Sequence, residues 1–266
     1  MATISVIMGI YNCSSTLPQA IDSILTQTFT DWELIMCDDG STDNTYAVAE
    51  EYVHRYPEKI RLIRNEHNRG LSVSLNRCLA LAEGEYIARM DGDDISAPER
   101  FEKELSFLRQ HPEYSIVSTD MDLFDEHGIW GRTHSAAEPT VESMVSGPPH
   151  CHAACLVKRE AYTAVGGYSE AREYERVEDR NLWFKMYKAG FRGANLQEPL
   201  YMMRDDRNAT SRRKLKYRFH GAYVGMDVIK GFQLSPLYFL KAIRPIMIGL
   251  LPRPVYRFLH KRKRQS

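Results

Sequence analysis

Short apolar runs alternate with segments of helical periodicity through the first 120 residues of the chain. The apolar runs span residues 4–8, 33–37, 60–63 and 86–90. Between them, apolar residues recur every three or four positions over residues 16–26, 44–56 and 72–82. Strands that alternate with helices form parallel sheets, and the strands of such sheets are buried on both faces. The pattern therefore predicts an α/β fold with a doubly wound, mostly parallel sheet flanked by helices.

The second half of the chain has a weaker pattern. We expect strands at residues 115–119 and 153–157, and helices at 98–109, 159–165 and 178–189. Residues 125–149 are rich in glycine and proline, which predicts a long loop. A chain of 266 residues is long enough for one substantial domain with a smaller appendage.

The charges are balanced in number but not in position. The chain has 35 lysines and arginines and 35 aspartates and glutamates, so its net charge identifies no partner, and we predict no nucleic-acid partner. No acidic residue follows Asp227, whereas nine lysines and arginines do. Lys241, Arg244 and Arg253 interrupt the most apolar part of this tail, so no run is long enough for a membrane-spanning helix. Five irregularly spaced cysteines and the lack of an apolar leader before Ile4 predict a cytoplasmic protein.

Polar side chains follow three of the predicted strands. Tyr11 and Asn12 follow the first strand, Asp38 and Asp39 the second, and an acidic stretch at residues 91–94 the fourth. Because the carboxyl ends of parallel strands meet at one edge of the sheet, we expect these side chains to converge there. A turn with an Asx-type hydrogen bond is the alternative for Asp38 and Asp39.

The acidic stretch has the chemistry of a metal site. Asp91 and Asp93 are separated by one glycine, which lets both carboxylates point to one side while the backbone stays clear. Hard divalent cations bind carboxylate oxygens and complete an octahedron with phosphate oxygens and water. The spacing therefore indicates Mn²⁺ or Mg²⁺. A phosphatase-type hydrolase also has an Asp-x-Asp motif after a strand, but normally after the first one.

In the order and spacing of these motifs, the chain resembles the inverting glycosyltransferases of family 2, which have the GT-A fold. The resemblance covers roughly residues 3–205 and is closest to members that build exopolysaccharides. It rests on residues 5–12, 38–43, 68–70, 86–94, 166–168, 178–179 and 182–183. Residues 8–10 depart from the family, which more often has a proline and a threonine there.

The resemblance implies metal-dependent single displacement, in which a sugar moves from a nucleotide diphosphate to a glycan hydroxyl. It places the nucleotide-sugar half at about residues 1–120 and the acceptor half at about 121–210 of a GT-A domain. Tyr11 would lie against the base, and Asp39 would accept a hydrogen bond from a ring N–H of uracil or a similar base, which favours a UDP-sugar. Asn68 would lie near the nucleotide or diphosphate, although capping of a helix is an alternative for this residue.

The resemblance also implies the roles of six residues nearer to the reaction. Asp93 would bind the metal, Asp91 would bind the ribose or the metal, and Asp94 is a third choice. Asp179 would be the general base, with Glu178 beside it at the substrate. Complementing a helix dipole is the alternative for this pair. Arg204 would face the diphosphate, with a surface salt bridge as its alternative.

Three other functions fit the sequence less well. His150, Cys151, His152 and Cys155 contain zinc-ligand types, but the second ligand pair of a usual zinc site is missing. A nicotinamide-dependent dehydrogenase needs G-x-G-x-x-G after the first strand, which this chain lacks. A protein-interaction or regulatory partner with the same fold, alone or in addition to transfer, remains as the alternative function.

The tail, residues 211–266, is predicted to be helical, basic and amphipathic. Its apolar residues from Leu234 to Leu259 are interleaved with basic residues only. Such a composition suits the surface of an anionic membrane, where each lysine or arginine contributes about 1 kcal/mol. Since the family members concerned extend glycans carried on a lipid diphosphate, we expect a peripheral protein on the inner face of the plasma membrane. Packing of the tail on the catalytic domain is the alternative.

Overall fold

The computed structural model describes residues 2–205 and 215–249. Within these ranges, nine strands form one sheet: β1 (Ile4–Ile10), β2 (Trp32–Asp38), β3 (Ile60–Arg64), β4 (Tyr86–Arg89), β5 (Ile95–Ser96), β6 (Ile116–Asp125), β7 (Gly128–Arg132), β8 (Cys155–Lys158) and β9 (Gly193–Arg204). The α-helices are α1 (Leu17–Leu25), α2 (Thr45–Arg55), α3 (Leu71–Leu81), α4 (Arg100–Gln110), α5 (Arg159–Val165), α6 (Glu178–Lys188), α7 (Leu215–Gly231) and α8 (Phe239–Gly249).

The sheet is parallel on one side and mixed on the other. Its strand order is β3-β2-β1-β4-β8-β6-β9-β5, and β7 pairs with β6. Strands β3, β2, β1 and β4 are parallel, so their carboxyl ends open on one edge. Strand β8 runs antiparallel to both β4 and β6, while β6 and β9 are parallel. The predicted GT-A type α/β fold is confirmed, with its parallel pairing concentrated around β1.

Both faces of the central strand are buried, as its continuous apolar run predicts. Val6 and Met8 pack in one apolar layer with residues of α1, α2 and α4. Ile7 packs on the other face in a layer that includes residues of α3, α5, α6 and α7. The sheet is therefore a rigid wall that fixes the positions of the loops at its carboxyl edge.

Three strands of the second half differ from the sequence-based expectation. Strand β7 lies in the segment predicted as a loop, where its mostly exposed residues pair with β6 on one side only. Strand β9 has partly exposed and polar residues in its middle and contains Pro199, so it lacks a continuous apolar run. The predicted strand at residues 153–157 begins later, at Cys155, because a short 3-10 helix occupies His152–Ala154.

Helix α7 packs on α6 and α8. Gly221, Val224 and Val228 are among its buried residues, and the Arg180 guanidinium on α6 donates to the Gly221 carbonyl at 3.0 Å. The alternative expectation, packing on the domain of the apolar residues from Leu234 onward, holds for Leu234 and Tyr238, which are partly buried against the core. The predicted basic residues from Arg212 to Lys214 and those after residue 249 lie outside the described residues. Among the helices that the structure describes, none has the length and apolar character needed to cross a bilayer.

Candidate active site

One cavity of about 740 Å³ lies at the carboxyl edge of the parallel strands. Its walls come from the loops after β1, β2, β3 and β4, from β9, and from the segment that leads into α6. It brings together seven of the residues predicted from the sequence: Tyr11, Asp39, Asn68, Asp91, Asp93, Glu178 and Arg204. Asp94 and Asp179 are adjacent to this set but do not line the cavity. The convergence expected from parallel strand ends is therefore present in the structure.

The two aspartates after β2 have different partners. Asp38 accepts from the backbone N–H of Ser41, as in an Asx-type turn, and pairs with Arg64 at 2.9 Å. Asp39 instead accepts from the Asn65 side chain at 2.7 Å and from the backbone N–H groups of Arg69 and Gly70. The turn interpretation thus fits Asp38, whereas Asp39 holds the loop before α3 at the cavity floor.

The loop before α3 presents Asn68 to the cavity. Asn68 is exposed and is not the capping residue of α3, because that position is taken by Gly70. The capping alternative for Asn68 is therefore wrong. A tight approach fixes this loop, since a Cβ atom on Gly40 would lie 2.8 Å from the backbone of His67. Gly40 also has a φ of 71°, a conformation that glycine adopts without strain.

Tyr11 stands at the mouth of the cavity with 45% of its surface exposed. The next residue, Asn12, has a φ of 49°, and its side-chain oxygen accepts from the backbone N–H of Thr42 at 2.9 Å. The backbone N–H of Asn12 donates to the Ser41 hydroxyl at 3.0 Å. These bonds connect the loop after β1 to the loop after β2. The backbone that carries Tyr11 is therefore held in place, while its exposed ring remains accessible from the cavity.

Three carboxylates cluster after β4. Asp91, Asp93 and Asp94 each have an oxygen within 4.8 Å of the others. Burial and then the charge of Asp91 raise the pKa of Asp93, and burial with both neighbouring charges raises the pKa of Asp94 well above its usual value. Gly92 permits this crowding, because a Cβ atom there would lie 3.0 Å from the Cys13 sulfur. The glycine between the carboxylates is required by the fold of the loop.

Arg89 is a site residue that the sequence analysis missed. Its guanidinium is buried on β4 and forms a bidentate pair with Asp91. The sequence did contain an indication of this role, since Arg89 is a single arginine inside an otherwise apolar strand. A charge buried in such a strand requires a partner of opposite charge. The pair neutralises Asp91 and leaves Asp93 as the exposed carboxylate of the cluster.

The cluster fits a divalent cation. Asp93 is exposed at the cavity, and one buried oxygen of Asp94 has no hydrogen-bond donor within the described part of the chain. An oxygen-only donor set with mutually repelling charges is the environment that Mn²⁺ and Mg²⁺ favour. Asp93 and Asp94 thus have the coordination capacity to hold such an ion, with Asp91 engaged by Arg89.

Arg204 lies beside this cluster at the end of β9. Its Nε donates to the Asp93 carbonyl at 3.0 Å, one terminal nitrogen donates to Gln19 at 3.0 Å, and its backbone N–H donates to Asp94 at 2.7 Å. The guanidinium also packs 4.5 Å from the centre of the Phe124 ring. Arg204 is therefore fixed beside the aspartate cluster. Among the described residues, it forms no ion pair.

The first turn of α6 carries the predicted base. Glu178 lines the cavity, whereas Asp179 lies behind it and is partly buried. Burial raises the pKa of Asp179, and the Arg180 backbone N–H and the charges of Arg180 and Arg89 act in the opposite direction. Burial and then Asp179 raise the pKa of Glu178. Both carboxylates therefore have a greater proton affinity than a solvated carboxylate.

The histidines considered for zinc are held by other groups. His150 contacts the Asn195 side chain at 2.8 Å and the Tyr187 hydroxyl at 2.9 Å, and burial lowers its pKa to about 4. His152 contacts the Tyr168 hydroxyl at 2.7 Å. Among the described residues, the aspartate cluster is the only group of three or more ligand-type side chains close enough to share an ion.

Three related proteins have similar sequences. The chain is 41% identical over 260 residues to a putative glycosyltransferase, EpsE, of Bacillus subtilis, covering 98% of this chain and 94% of the relative. It is 29% identical to the amylovoran biosynthesis glycosyltransferase AmsE of Erwinia amylovora, covering 98% and 99%. It is also 29% identical to WfgD of Escherichia coli, a UDP-Glc:α-D-GlcNAc-diphosphoundecaprenol β-1,3-glucosyltransferase, over 70% of each chain.

Two solved structures share the fold. Staphylococcus aureus TarS in complex with UDP-GlcNAc superposes with a TM-score of 0.71 at 19% identity, covering 92% of this chain and 71% of that one. The Pyrobaculum calidifontis mannosyltransferase PcManGT with GDP-Man and Mn²⁺ has a TM-score of 0.68 at 16% identity, covering 98% and 79%. Residues 5–166 also match the model of glycosyl transferase family 2, which includes the loops after β1, β2 and β4. The chain belongs to glycosyl transferase family 2.

Proposed function

We propose that the protein is an inverting glycosyltransferase that moves a sugar from a nucleotide diphosphate to a glycan hydroxyl during exopolysaccharide synthesis. One observation carries the proposal: a single cavity has Asp39 and Asp93 on one wall and Glu178 on another. A nucleotide-sugar donor has its base at one end and its diphosphate and sugar at the other, so its base can meet Asp39 while its diphosphate lies beside Asp93. The name of AmsE, a polysaccharide-biosynthesis glycosyltransferase, supports a polysaccharide product.

On the donor side, residues up to about 120 bind the nucleotide. Tyr11 stacks on the base, and Asp39 accepts from its ring N–H with a lone pair left by its three protein donors. Asn68 contacts the nucleotide or diphosphate, and Asp91 the ribose. Asp93, with Asp94, holds Mn²⁺ or Mg²⁺, which when bound neutralises charge on the departing diphosphate.

On the acceptor side, residues from about 121 to 210 position the hydroxyl that attacks. Asp179 accepts the hydroxyl proton while the oxygen bonds to the anomeric carbon and the bond from that carbon to the diphosphate oxygen breaks. Glu178 orients the acceptor in the cavity, and Arg204 stabilises the charge beside the aspartate cluster. A single displacement of this kind inverts the anomeric centre. The acceptor is a glycan on a lipid diphosphate, as the name of WfgD states for that relative.

The uridine assignment predicts a selective thermal shift. UDP-sugars should raise the melting temperature more than CDP-sugars do, because the Asp39 carboxylate can only accept hydrogen bonds and the cytosine ring has no N–H to donate. Tyr11→Ala should weaken UDP binding about 5- to 100-fold, the range for loss of one base–aromatic stack, while Tyr11→Phe retains it. Differential scanning fluorimetry and calorimetric titration measure both effects. A preference for CDP- or GDP-sugars would overturn the assignment.

We also propose that the tail holds the enzyme on the inner face of the plasma membrane. Leu237, Leu240 and Met247 on and just before α8 are exposed at 79%, 64% and 56%. Lys241 and Arg244 are the charged residues of this helix, so the apolar surface is accompanied by positive charge only. Anionic headgroups attract such a surface, and the apolar side chains enter the boundary of the acyl region.

The membrane proposal predicts that co-sedimentation depends on the exposed face of α8. The full chain should pellet with phosphatidylglycerol vesicles at moderate salt, and the triple variant Leu237→Ser, Leu240→Ser, Met247→Ser should stay in the supernatant. Ile129→Ser, which removes an exposed apolar side chain of β7, is the matched control and should pellet like the unaltered chain. Point substitutions are preferable to truncation, since α8 packs on α7 at Ala242. Equal sedimentation of all three forms would contradict the proposal.

A further inference from the structure

Two arginines without partners line the cavity on the segment before α6. Arg172 and Arg176 are exposed, and both belong to the cavity wall. Within the described ranges, neither guanidinium makes a hydrogen bond or an ion pair. Arg204, by contrast, is bonded to Asp93 and Gln19. The arginines before α6 are thus the free cations of this wall, and the proposed transfer gives them no role.

The two glutamates of this segment that line the cavity, Glu170 and Glu175, are bonded to other elements. Glu175 accepts from the Lys216 ammonium at 3.2 Å and from the Tyr217 hydroxyl at 3.1 Å, both on α7. Glu170 accepts from the Asn76 side chain on α3 at 2.9 Å. Among the described residues, neither of these carboxylates forms an ion pair with Arg172 or Arg176.

The backbone that carries Arg176 is held in a strained conformation. Arg176 has a φ of 65°, which is uncommon for a residue with a side chain. The preceding carbonyl, that of Glu175, lies 2.8 Å from the His220 ring on α7. The Tyr174 hydroxyl donates to Asp227, also on α7, at 3.0 Å. Helix α7 therefore fixes the direction in which Arg176 projects.

The cavity has an aspartate cluster on one side, and two arginines with no ion-pair partner among the described residues on the other. The aspartates after β4 form the acidic wall, where a bound divalent cation would meet the diphosphate of the donor. Arg172 and Arg176, called the basic wall below, lie on the segment that leads to Glu178, which also contributes Glu170 and Glu175 to the cavity. The charge of Arg176 acts on Glu178. A guanidinium binds phosphate oxygens in a bidentate manner and needs no metal for this. A second anion therefore fits beside the acceptor position.

We infer that Arg172 and Arg176 form a subsite for the diphosphate that links the acceptor glycan to its lipid. This inference rests on the proposed function, since it assumes an acceptor hydroxyl near the start of α6. The acceptor diphosphate binds at the basic wall while the donor diphosphate occupies the acidic wall. The two diphosphates then bind simultaneously and do not compete.

Calorimetric titration with geranyl diphosphate tests the subsite without knowledge of the acceptor sugar. The full chain, saturated with UDP and Mn²⁺, should bind geranyl diphosphate and bind geraniol much more weakly. The double variant Arg172→Gln, Arg176→Asn should bind geranyl diphosphate about 10- to 100-fold more weakly, with its UDP affinity unchanged. Asparagine is chosen at 176 because it tolerates a positive φ. Arg69→Gln, which removes an exposed arginine from the wall beside Asp39, should leave geranyl diphosphate binding unchanged.

The inference would be overturned by competition between geranyl diphosphate and UDP, by loss of UDP affinity in the double variant, or by equal geranyl diphosphate affinity in the variant and the unaltered chain. Absence of geranyl diphosphate binding in a chain that binds UDP has the same meaning. If the unaltered chain does not bind any nucleotide diphosphate or its sugar, the proposed function itself fails, so the two failures are distinguishable.

Discussion

Replacement of Asp179 by asparagine should lower kcat by about 10²- to 10⁴-fold, the usual cost of removing a general base. The amide preserves the size and most hydrogen-bonding geometry of the side chain but cannot accept a proton from the acceptor hydroxyl. The KM for the donor should change little, because the proposed role of Asp179 is to accept the proton of the acceptor hydroxyl and not to bind the donor. Initial rates of nucleotide diphosphate release at saturating donor and acceptor measure the loss, and an unchanged melting temperature shows that the fold is retained.

Glu178→Gln is the matched control for this substitution. Glu178 lines the cavity, so its amide should raise the KM for the acceptor and reduce kcat less than Asp179→Asn does. The order of the two effects decides which carboxylate is the base. If Glu178→Gln has the larger effect on kcat, the base is Glu178 and the assignment made from the family resemblance is wrong.

The pH profile gives an independent test of a buried carboxylate base. A carboxylate accepts a proton only when ionised, so activity should fall as the pH decreases through the pKa of the base in the folded protein. Because burial raises the pKa of Asp179, this acid limb should lie at higher pH than that of a solvated aspartate. Measurement of kcat/KM from acid to neutral pH determines the limb, and a limb in the ordinary aspartate range would contradict the proposal.

The side of the cavity that carries Tyr11, Asp39 and Asp91 could be predicted from sequence, because these residues follow strands with strong local patterns. The run at residues 4–8 is buried on both faces, so its register beside β2 and β4 fixes where Tyr11, Asp39 and Asp91 lie. The separation of Asp38 from Asp39 could not be predicted. Asp39 turns toward the loop before α3, and that contact joins residues about 30 positions apart, as its hydrogen bond to Gly70 shows.

The side of the cavity formed by the segment before α6 was harder to predict, because its geometry depends on elements that are distant in the sequence. Asp179 and Glu178 are adjacent in sequence, yet only Glu178 lines the cavity, and the path of the preceding segment decides which does. That segment is held by α7 through Glu175 and by α3 through Glu170. Arg176 has a positive φ, which no residue preference predicts for arginine.

Replacement of Asp93 by alanine should remove metal-dependent turnover, with a decrease of about 10²- to 10³-fold, since charge stabilisation by a bound metal contributes several kcal/mol. Asp93 is the exposed carboxylate of the cluster. Its hydrogen bond with Arg204 is accepted by the backbone carbonyl and not by the side chain. The substitution therefore removes a metal ligand without removing a side-chain contact of the fold. Initial rates at several Mn²⁺ concentrations measure this loss, and unchanged turnover in excess chelator would contradict the metal role.

In the absence of metal, Asp93→Ala should not lower the stability of the protein, although it lowers the activity. Because the pKa of Asp93 is raised, its ionised form is disfavoured in the folded state, and this cost is present at pH values above the folded pKa. Asp93→Ala should thus melt at an equal or higher temperature than the unaltered chain in chelator. Mn²⁺ should stabilise the unaltered chain by about 2.7 kcal/mol at a metal concentration near 100 times Kd, and should not stabilise Asp93→Ala. Glu198→Ala, which removes an exposed carboxylate paired with Lys103, controls for charge and should keep the full metal response. Equal stabilisation of Asp93→Ala by Mn²⁺ would show that the ion binds at other residues.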